Sequence, residues 1–184
     1  GDLINYVKGD RLVDVGSGSG ILLNLLEERY PNKTIIGTDV SSAVIETLKK
    51  KKAKEKHSWE VEEHNFVDSC FSPCSTIIFS SILHEIYSYT DGENGKFDIE
   101  SVKRALKNAY ESIVSGGRIL IRDGVKTASS ETCLLQIKTP EAKEFFENYC
   151  RDFKGLKEYD RGNITVEDTQ EGTLVVADIN FIRE

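Results

Sequence analysis

The chain has 184 residues and is acidic, with 24 Lys and Arg against 31 Asp and Glu and a formal net charge of −7 at pH 7. With 39% hydrophobic and 9% aromatic residues it can fill the core of one domain, which excludes a disordered chain and a disulfide-stapled miniprotein. The negative charge disfavours nucleic acid as a partner of this domain alone, because phosphate binding requires clustered Lys and Arg.

Short apolar runs alternate with segments of helical periodicity over the first two-thirds of the chain. The runs predict five strands, at residues 11–15, 34–39, 59–64, 76–80 and 118–122. Helices are predicted after the first, second and fourth strands, where apolar residues recur every three or four positions: Ile21, Leu22, Leu25 and Leu26; Val44, Ile45 and Leu48; Ile99, Val102, Leu106, Ala109 and Ile113. This alternation is typical of an α/β fold, a doubly wound, mostly parallel sheet with helices on both faces.

Capping and breaking residues set the predicted helix ends. Pro31 ends the first helix, Ser41 or Ser42 caps the second, and Gly116 and Gly117 end the third.

The alternating pattern weakens after residue 125. Residues 140–153 predict a helix with aromatic side chains on one side, and residues 173–182 fit either a strand or the start of a helix. We expect one domain, with residues 1–125 as its ligand-binding core and residues 126–184 as its C-terminal part. Because the chain begins at Gly1 and contains no Met, we expect it to come from a longer protein.

The most informative stretch is DVGSGSG, residues 14–20, between the first strand and the first helix. Glycine is needed where a chain turns sharply and lies against a ligand, and ligands of open α/β sheets bind at this edge. The spacing is G-x-G-x-G rather than the G-x-G-x-x-G of dinucleotide binders. Asp14, two residues before the first glycine, disfavours an anion and favours a ligand with an ammonium or sulfonium group.

An acidic residue followed by G-x-G-x-G resembles the first motif of the class I S-adenosylmethionine-dependent methyltransferases. Three further stretches within residues 12–125 resemble that family: Asp39 at the end of the second strand, Asn65-Phe66 after the third, and SSILHE (residues 80–85) after the fourth. The resemblance implies S-adenosylmethionine as cofactor. It implies the following cofactor-binding residues: Asp14, Gly16, Ser17, Gly18, Gly20, Asp39, Val40, Asn65, Phe66 and Ser80.

The resemblance assigns roles to two polar residues of this set. Asp39 would accept hydrogen bonds from both ribose hydroxyls, and its alternative role is a helix N-cap. Asn65 stands where the family usually has Asp, and its side-chain oxygen can still accept a bond from the adenine amino group. The alternative for Asn65 is an ordinary turn.

Candidate catalytic residues follow the fourth strand. His84 and Glu85 lie near where the transferable methyl group should project, and His84 could act as a base if the acceptor is a hydroxyl or ammonium group. The alternatives are a histidine that packs against the cofactor or caps a helix, and a structural role for Glu85.

Four further residues are candidates for substrate contact. Tyr87 and Tyr89 precede a polar, glycine-bearing stretch at residues 90–95, interpreted as a mobile loop over the ligand edge. Arg122 and Asp123 end the fifth strand and either orient an acceptor or form a salt bridge unrelated to substrate. The tyrosines could instead pack the loop onto the sheet.

Other patterns favour ordinary explanations. Cys70 and Cys74 form a single C-x3-C with no partnering pair of histidines, so we expect reduced thiols and no metal. No apolar run approaches the about 20 residues that span a bilayer, and no signal peptide is visible, so we expect a cytoplasmic chain with no membrane partner. The lysines of residues 49–56 are interpreted as a solvated helix face rather than an RNA-binding patch.

The sequence therefore predicts an S-adenosylmethionine-dependent methyltransferase that moves a methyl group to O or N of a small or medium-sized acceptor. One alternative is a non-catalytic, methyltransferase-like binding module of a larger protein. Another is the methyltransferase domain of a multidomain RNA-modifying enzyme, in which other domains of a longer chain supply the nucleic-acid surface.

Overall fold

The computed structural model describes residues 2–92, 95–124, 132–152 and 164–178. Contacts divide the chain into two compact units, Gly1–Gly124 and Val125–Glu184. No helix within the described ranges is both long and apolar enough to cross a membrane.

The first unit consists of a parallel sheet with helices on both faces, as predicted. After a short 3-10 helix at Asp2–Tyr6, its elements are β1 (Arg11–Val15), α1 (Ile21–Arg29), β2 (Thr34–Asp39), α2 (Ser42–Glu55), β3 (Glu60–Glu63), β4 (Cys74–Ser80), α3 (Leu83–Tyr89), α4 (Ile99–Ser112) and β5 (Ile113–Arg122). The strand order is β3-β2-β1-β4-β5, and every pair is parallel. The order reverses between β1 and β4, which is where open α/β sheets bind ligands.

Two apolar layers hold the helices against the sheet. On one face, Leu23, Leu26 and Leu48 pack α1 and α2 against the strands. On the other face, Ala105 and Ala109 pack α4 against the strands.

The buried side of α1 differs from the simple prediction. Ile21 is 65% exposed and Leu25 is 45% exposed, whereas Leu23 and Leu26 are buried. Leu23 faces Gly37 of β2, where an added Cβ would lie 2.7 Å from a Leu23 methyl carbon. The missing side chain at Gly37 therefore makes room for Leu23 and sets the rotation of the helix.

The predicted end of the third long helix is wrong. The helix α4 ends at Ser112, and β5 begins at Ile113 and runs through Gly116 and Gly117. A Cβ at Gly117 would lie 2.7 Å from the Ser75 carbonyl oxygen, so this glycine permits close approach of β4 and β5 rather than stopping a helix.

The buried face of α4 is built from small residues. Ser101, Ala105, Ala109 and Ser112 are buried, while Ile99, predicted to face the core, is 52% exposed. Small side chains let the helix backbone lie close to the sheet, and the larger apolar residues flank that contact.

The second unit is a small α/β arrangement of its own. Its elements are β6 (Thr132–Ile137), α5 (Pro140–Asp152), β7 (Thr165–Thr169) and β8 (Gly172–Asp178), and the antiparallel sheet has the order β6-β8-β7. Of the segment predicted as strand or helix, residues 173–178 are strand, and residues 179–182 lie outside the described residues. Ile137, Val175 and Ala177 form its buried apolar cluster.

Enlarging the contact surface of α4 should destabilise the first unit. We expect Ala105→Leu to lower the free energy of unfolding by about 1–3 kcal/mol, because Ala105 is fully buried and extra methyl groups would force the helix away from the sheet. Urea denaturation measures this loss. Lys107→Leu, on an exposed position of the same helix, should stay within about 0.5 kcal/mol of wild type; equal stability of both variants would contradict this packing.

Candidate functional site

The glycine loop, residues 16–20, crosses from the end of β1 to the start of α1 in a left-handed path. Gly16, Gly18 and Gly20 have φ of 70°, 48° and 75°, a region that residues with a side chain rarely adopt. The loop is closed internally, since the Gly20 N–H donates to the Ser17 carbonyl oxygen at 2.8 Å. The sequence prediction of a sharp turn at this position is confirmed.

The neighbouring strand β2 holds the first half of this loop. The N–H groups of Gly16 and Ser17 both donate to the Thr38 carbonyl oxygen, at 2.8 and 2.9 Å. The Ser17 hydroxyl donates to the Asp14 carbonyl oxygen at 3.1 Å. Hydrogen bonds to backbone carbonyl groups of β1 and β2 therefore hold the first two residues of the loop in place.

The three glycines face different surroundings. A Cβ at Gly16 would lie 2.5 Å from Ile82, and one at Gly20 would lie 2.8 Å from Leu48. A Cβ at Gly18 would meet only the Gly16 carbonyl oxygen, at 4.0 Å. The loop thus packs against the protein at both ends and is open at Gly18.

Asp14 is a buried residue of β1, two positions before the first glycine of the loop. It is 3% exposed. Burial raises the pKa of Asp14 to about 7; a hydrogen bond from Ser17 opposes the shift, and the charge of Asp39 adds to it. The group therefore changes charge near neutral pH, where a bound cation would favour the ionised form.

Asp39 connects the glycine loop to the start of α2. One carboxylate oxygen accepts the Gly18 N–H at 3.2 Å, and the other accepts the Ser41 N–H at 2.9 Å. The N-cap of α2 is Ser41, whose hydroxyl accepts the Val44 N–H at 3.4 Å. Each carboxylate oxygen of Asp39 has a second lone pair for a ligand donor.

Val40 follows Asp39 at the same edge of the sheet. Its side chain is 65% exposed and can cover one side of a ligand held by the loop.

Asn65 and Phe66 form a turn after β3. The Asn65 side chain accepts the Val67 N–H at 3.0 Å and donates to Asp68 at 2.8 Å. Phe66 is 2% exposed and packs into the core, so its backbone rather than its ring is the group available to a ligand. The geometry accounts for the turn interpretation of Asn65, and contact with adenine stays a prediction.

The turn from β4 to α3 lies against the glycine loop through Ile82. Ser80 is the last residue of β4, and Ser81 has a positive φ of 57°. The Ser81 N–H donates to the Arg122 carbonyl oxygen of β5 at 2.7 Å. This turn directs the start of α3 across the end of β5.

His84 and Asp123 meet at this point. Asp123 Oδ1 lies 2.7 Å from His84 Nδ1. Its other oxygen, Oδ2, accepts the N–H groups of Ile82 and Leu83, at 3.1 and 2.7 Å, and that of His84 at 3.3 Å. One carboxylate therefore orients the imidazole and satisfies the N-terminus of α3.

The electrostatics of this pair favour an ionised Asp123. Burial acts to raise its pKa. The hydrogen bonds from His84 and from the Gly124 and Leu83 N–H groups, together with the charge that His84 carries when protonated, outweigh burial and lower the pKa. The Asp123 side chain is 10% exposed and the His84 side chain is 54% exposed. The imidazole is thus anchored on one side and accessible on the other.

The remaining candidates lie around the same edge. Glu85 is exposed on the first turn of α3, and its side chain has no hydrogen bond or ion pair to another described residue. Tyr87 and Tyr89 are 39% and 61% exposed, and the Tyr87 ring contacts Phe97 edge-on with ring centres 5.8 Å apart. Arg122 donates to the Ser81 hydroxyl at 3.4 Å.

The stretch at residues 90–95, predicted to be a mobile loop, is described only in part. Gly92 and Gly95 exchange two backbone hydrogen bonds of 3.0 Å, and residues 93–94 lie outside the described residues. Gly92 packs against Asp98, whose carboxylate occupies the space that a side chain at position 92 would need.

The contact between His84 and Asp123 was not predicted from the sequence, although both residues were candidates. A signal for it exists: β4 and β5 are parallel neighbours, so residues just beyond their carboxyl ends come together. The Thr38 carbonyl oxygen was missed because no side-chain pattern marks a backbone acceptor.

Residues 3–139 match the family model of the O-methyltransferase domain. The chain belongs to this family. An uncharacterised protein of Methanocaldococcus jannaschii is 27% identical over 159 residues, which cover 86% of this chain and 38% of that protein. The chain thus spans well under half the length of this curated relative.

Solved structures show the same fold at low identity. The pyocyanin biosynthetic protein PhzM has a TM-score of 0.53 and 18% identity over 96% of this chain and 53% of its own. An O-methyltransferase family 2 protein from Planctomyces limnophilus, solved in complex with apigenin, has a TM-score of 0.53 and 19% identity over 93% of this chain and 50% of its own. The predicted class I methyltransferase fold is therefore confirmed.

Ligand binding should depend on the charge of Asp14. Below pH 7 its carboxyl is largely protonated in the folded chain, and above pH 7 it is ionised. A cationic ligand lowers this pKa, so its binding releases a proton and tightens as pH rises through 7. For S-adenosylmethionine, the cofactor predicted from the sequence, we expect the affinity to rise about three- to tenfold between pH 6 and 7.5.

Calorimetry in buffers of different ionisation enthalpy measures both the affinity and the proton release. Asp14→Asn supplies the control, because it removes the titrating group and leaves only the titration of the ligand. Identical dependence of affinity on pH in wild type and Asp14→Asn would show that ligand binding does not change the ionisation of Asp14.

Proposed function

We propose that this chain is the S-adenosylmethionine-dependent catalytic domain of an O-methyltransferase that acts on a hydroxyl group of a small organic acceptor. The observation that carries the proposal is the His84–Asp123 pair, which is linked to the glycine loop because Asp123 also accepts the N–H of Ile82, whose side chain lies against Gly16. Membership of the O-methyltransferase domain family supports methyl transfer to oxygen. The apigenin complex of the Planctomyces limnophilus protein supports a small hydroxylated acceptor.

The residues at the glycine loop fit a cationic nucleoside cofactor. The loop is open at Gly18, so a ligand can approach its backbone without meeting a side chain. Two carboxylates lie beside it, and a sulfonium or ammonium group would offset their mutual repulsion. We assign the loop glycines and Ser17 to the methionine end of the cofactor, Asp39 to the ribose, and Val40, Asn65 and the Phe66 backbone to adenine. We also assign Ser80, the last residue of β4, to the cofactor site.

S-adenosylmethionine, when bound, supplies an electrophilic methyl group whose bond to sulfur breaks with both electrons left on sulfur, forming S-adenosylhomocysteine. The protein then has two tasks, to align an acceptor oxygen with that methyl group and to take the proton that the hydroxyl loses.

His84 is suited to take that proton. Its Nδ1 faces the Asp123 carboxylate at 2.7 Å, so Nδ1 carries the hydrogen and Nε2 keeps a lone pair. The accessible side of the ring can reach an acceptor hydroxyl, and Nε2 receives the proton as oxygen bonds to carbon. The ionised Asp123 stabilises the imidazolium that results.

The exposed rings of Tyr87 and Tyr89 supply an apolar wall for the acceptor on α3. Arg122, held by Ser81 at the end of β5, supplies a hydrogen-bond donor to a polar substituent of the acceptor. Glu85 points into solvent and is assigned no proton transfer.

Variants of the pair test this assignment. We expect His84→Gln to lower kcat by about a hundredfold or more, because the acceptor hydroxyl loses its base. Asp123→Asn should have a similar effect, since a side-chain amide can donate to Nδ1 and leave the hydrogen on Nε2. Neither change should alter cofactor affinity more than about twofold. The assay is release of S-adenosylhomocysteine with a panel of phenols and flavonoids that includes apigenin.

Glu100→Gln is the matched control, because Glu100 is exposed on α4 and pairs only with Lys103 among the described residues. Full activity of His84→Gln would show that His84 is not the base. Cofactor binding without product from any acceptor or cell extract would favour the non-catalytic module over an enzyme.

A further inference from the structure

Lys51 of α2 makes a contact that sets it apart from the other lysines of that helix. Its ammonium group donates to the Ser19 carbonyl oxygen of the glycine loop at 3.0 Å. Lys49 pairs with Glu46 and Lys52 pairs with Glu60, whereas Lys50 is exposed and has no ion pair among the described residues. Lys51 is partly buried and has no carboxylate partner in the described part of the chain.

The contact fixes one peptide plane of the loop. In the peptide that joins Ser19 to Gly20, the carbonyl oxygen accepts from Lys51 and the N–H donates to the Ser17 carbonyl oxygen at 2.8 Å. Rotation of this peptide would break both bonds. Glycine at position 20 leaves such rotation sterically open, so the two bonds are what hold it.

The side of the loop that faces α2 is therefore held at two points of opposite polarity. Asp39 accepts the Gly18 N–H at 3.2 Å, and Lys51 donates to the carbonyl oxygen of Ser19, one residue further along the loop. Between these two contacts lies the open position at Gly18, which is the surface offered to a ligand.

We propose that Lys51 is a positioning residue, whose ammonium group holds the Ser19–Gly20 peptide and keeps the glycine loop in the shape that binds the cofactor. The inference rests on the proposed function, since it takes the loop to be the cofactor site. Lys51 acts through the loop backbone, and no direct contact with the cofactor is assigned to it.

The Lys51 ammonium group could act through its charge or through its hydrogen bond to the loop, and the two roles predict different changes in the affinities for S-adenosylmethionine and S-adenosylhomocysteine. If Lys51 acted only through its charge, its removal would tighten binding of cationic S-adenosylmethionine relative to S-adenosylhomocysteine, whose sulfur is neutral. If Lys51 holds the loop, its removal weakens binding of both ligands by the same factor. Comparison of the two ligands separates the roles.

The experiment compares Lys51→Met, Lys51→Arg and Lys50→Met with wild type by calorimetry at one ionic strength. Lys51→Met keeps the apolar stem and removes the donor, so we expect the Kd of both ligands to rise by about three- to tenfold. Lys51→Arg restores a charged donor and should recover most of the affinity. Lys50→Met makes the same charge change at an exposed position and should match wild type.

Steady-state kinetics supply a second measurement on the same variants. Lys51→Met should raise the KM for S-adenosylmethionine and leave kcat unchanged once both substrates are saturating, because the chemistry at His84 is untouched. Thermal unfolding checks that the variants are folded, and Lys51→Gln replaces Lys51→Met if the latter is not.

The outcomes distinguish this inference from the proposed function. Wild-type protein that binds neither ligand contradicts both. If wild-type protein binds both ligands, three results overturn the role of Lys51 and leave the proposed function standing. These are unchanged affinity in Lys51→Met, an equal loss of affinity in Lys50→Met, and tighter binding of S-adenosylmethionine alone by Lys51→Met.

Discussion

The Thr38 carbonyl oxygen accepts two backbone hydrogen bonds from the glycine loop, and the rest of the site depends on this junction. These two bonds make the chain turn sharply after β1. The turn requires positive φ angles, which Gly16, Gly18 and Gly20 adopt readily. The same turn leaves Gly18 open and brings its N–H to the Asp39 carboxylate. The backbone path of the loop thus sets the contact with one of the two carboxylates at this edge.

The second half of the site follows from the parallel order of the strands. Because β4 and β5 end at the same edge, the residues after them meet, and Asp123 can bond both the His84 ring and the first N–H groups of α3. The carboxylate that caps the helix also orients the imidazole. Ile82 links this pair to the glycine loop, because its N–H donates to Asp123 and its side chain lies against Gly16.

Local patterns were enough to predict much of this arrangement. The bounds of β1 and β2 were predicted correctly, since each is a short segment with branched apolar side chains at its centre and almost every residue buried. The glycine loop was predicted because its chemistry lies in consecutive residues. Contacts between residues far apart in the sequence were not predictable. Gly117 allows β4 and β5 to approach closely and does not end a helix, and Leu23 is buried because Gly37 leaves space for it.

Binding of S-adenosylmethionine or its product at the open face of the glycine loop is measured by titrating S-adenosylhomocysteine into wild type and Gly18→Asn. A Cβ at Gly18 would meet only the Gly16 carbonyl oxygen, at 4.0 Å, and asparagine tolerates the φ of 48° that would strain a branched side chain. We expect one bound ligand per wild-type chain and a loss of affinity of about tenfold or more in a variant that stays folded, because the added side chain occupies the face offered to the ligand. No binding to wild type at millimolar ligand, or equal binding to both proteins, would contradict binding at this face.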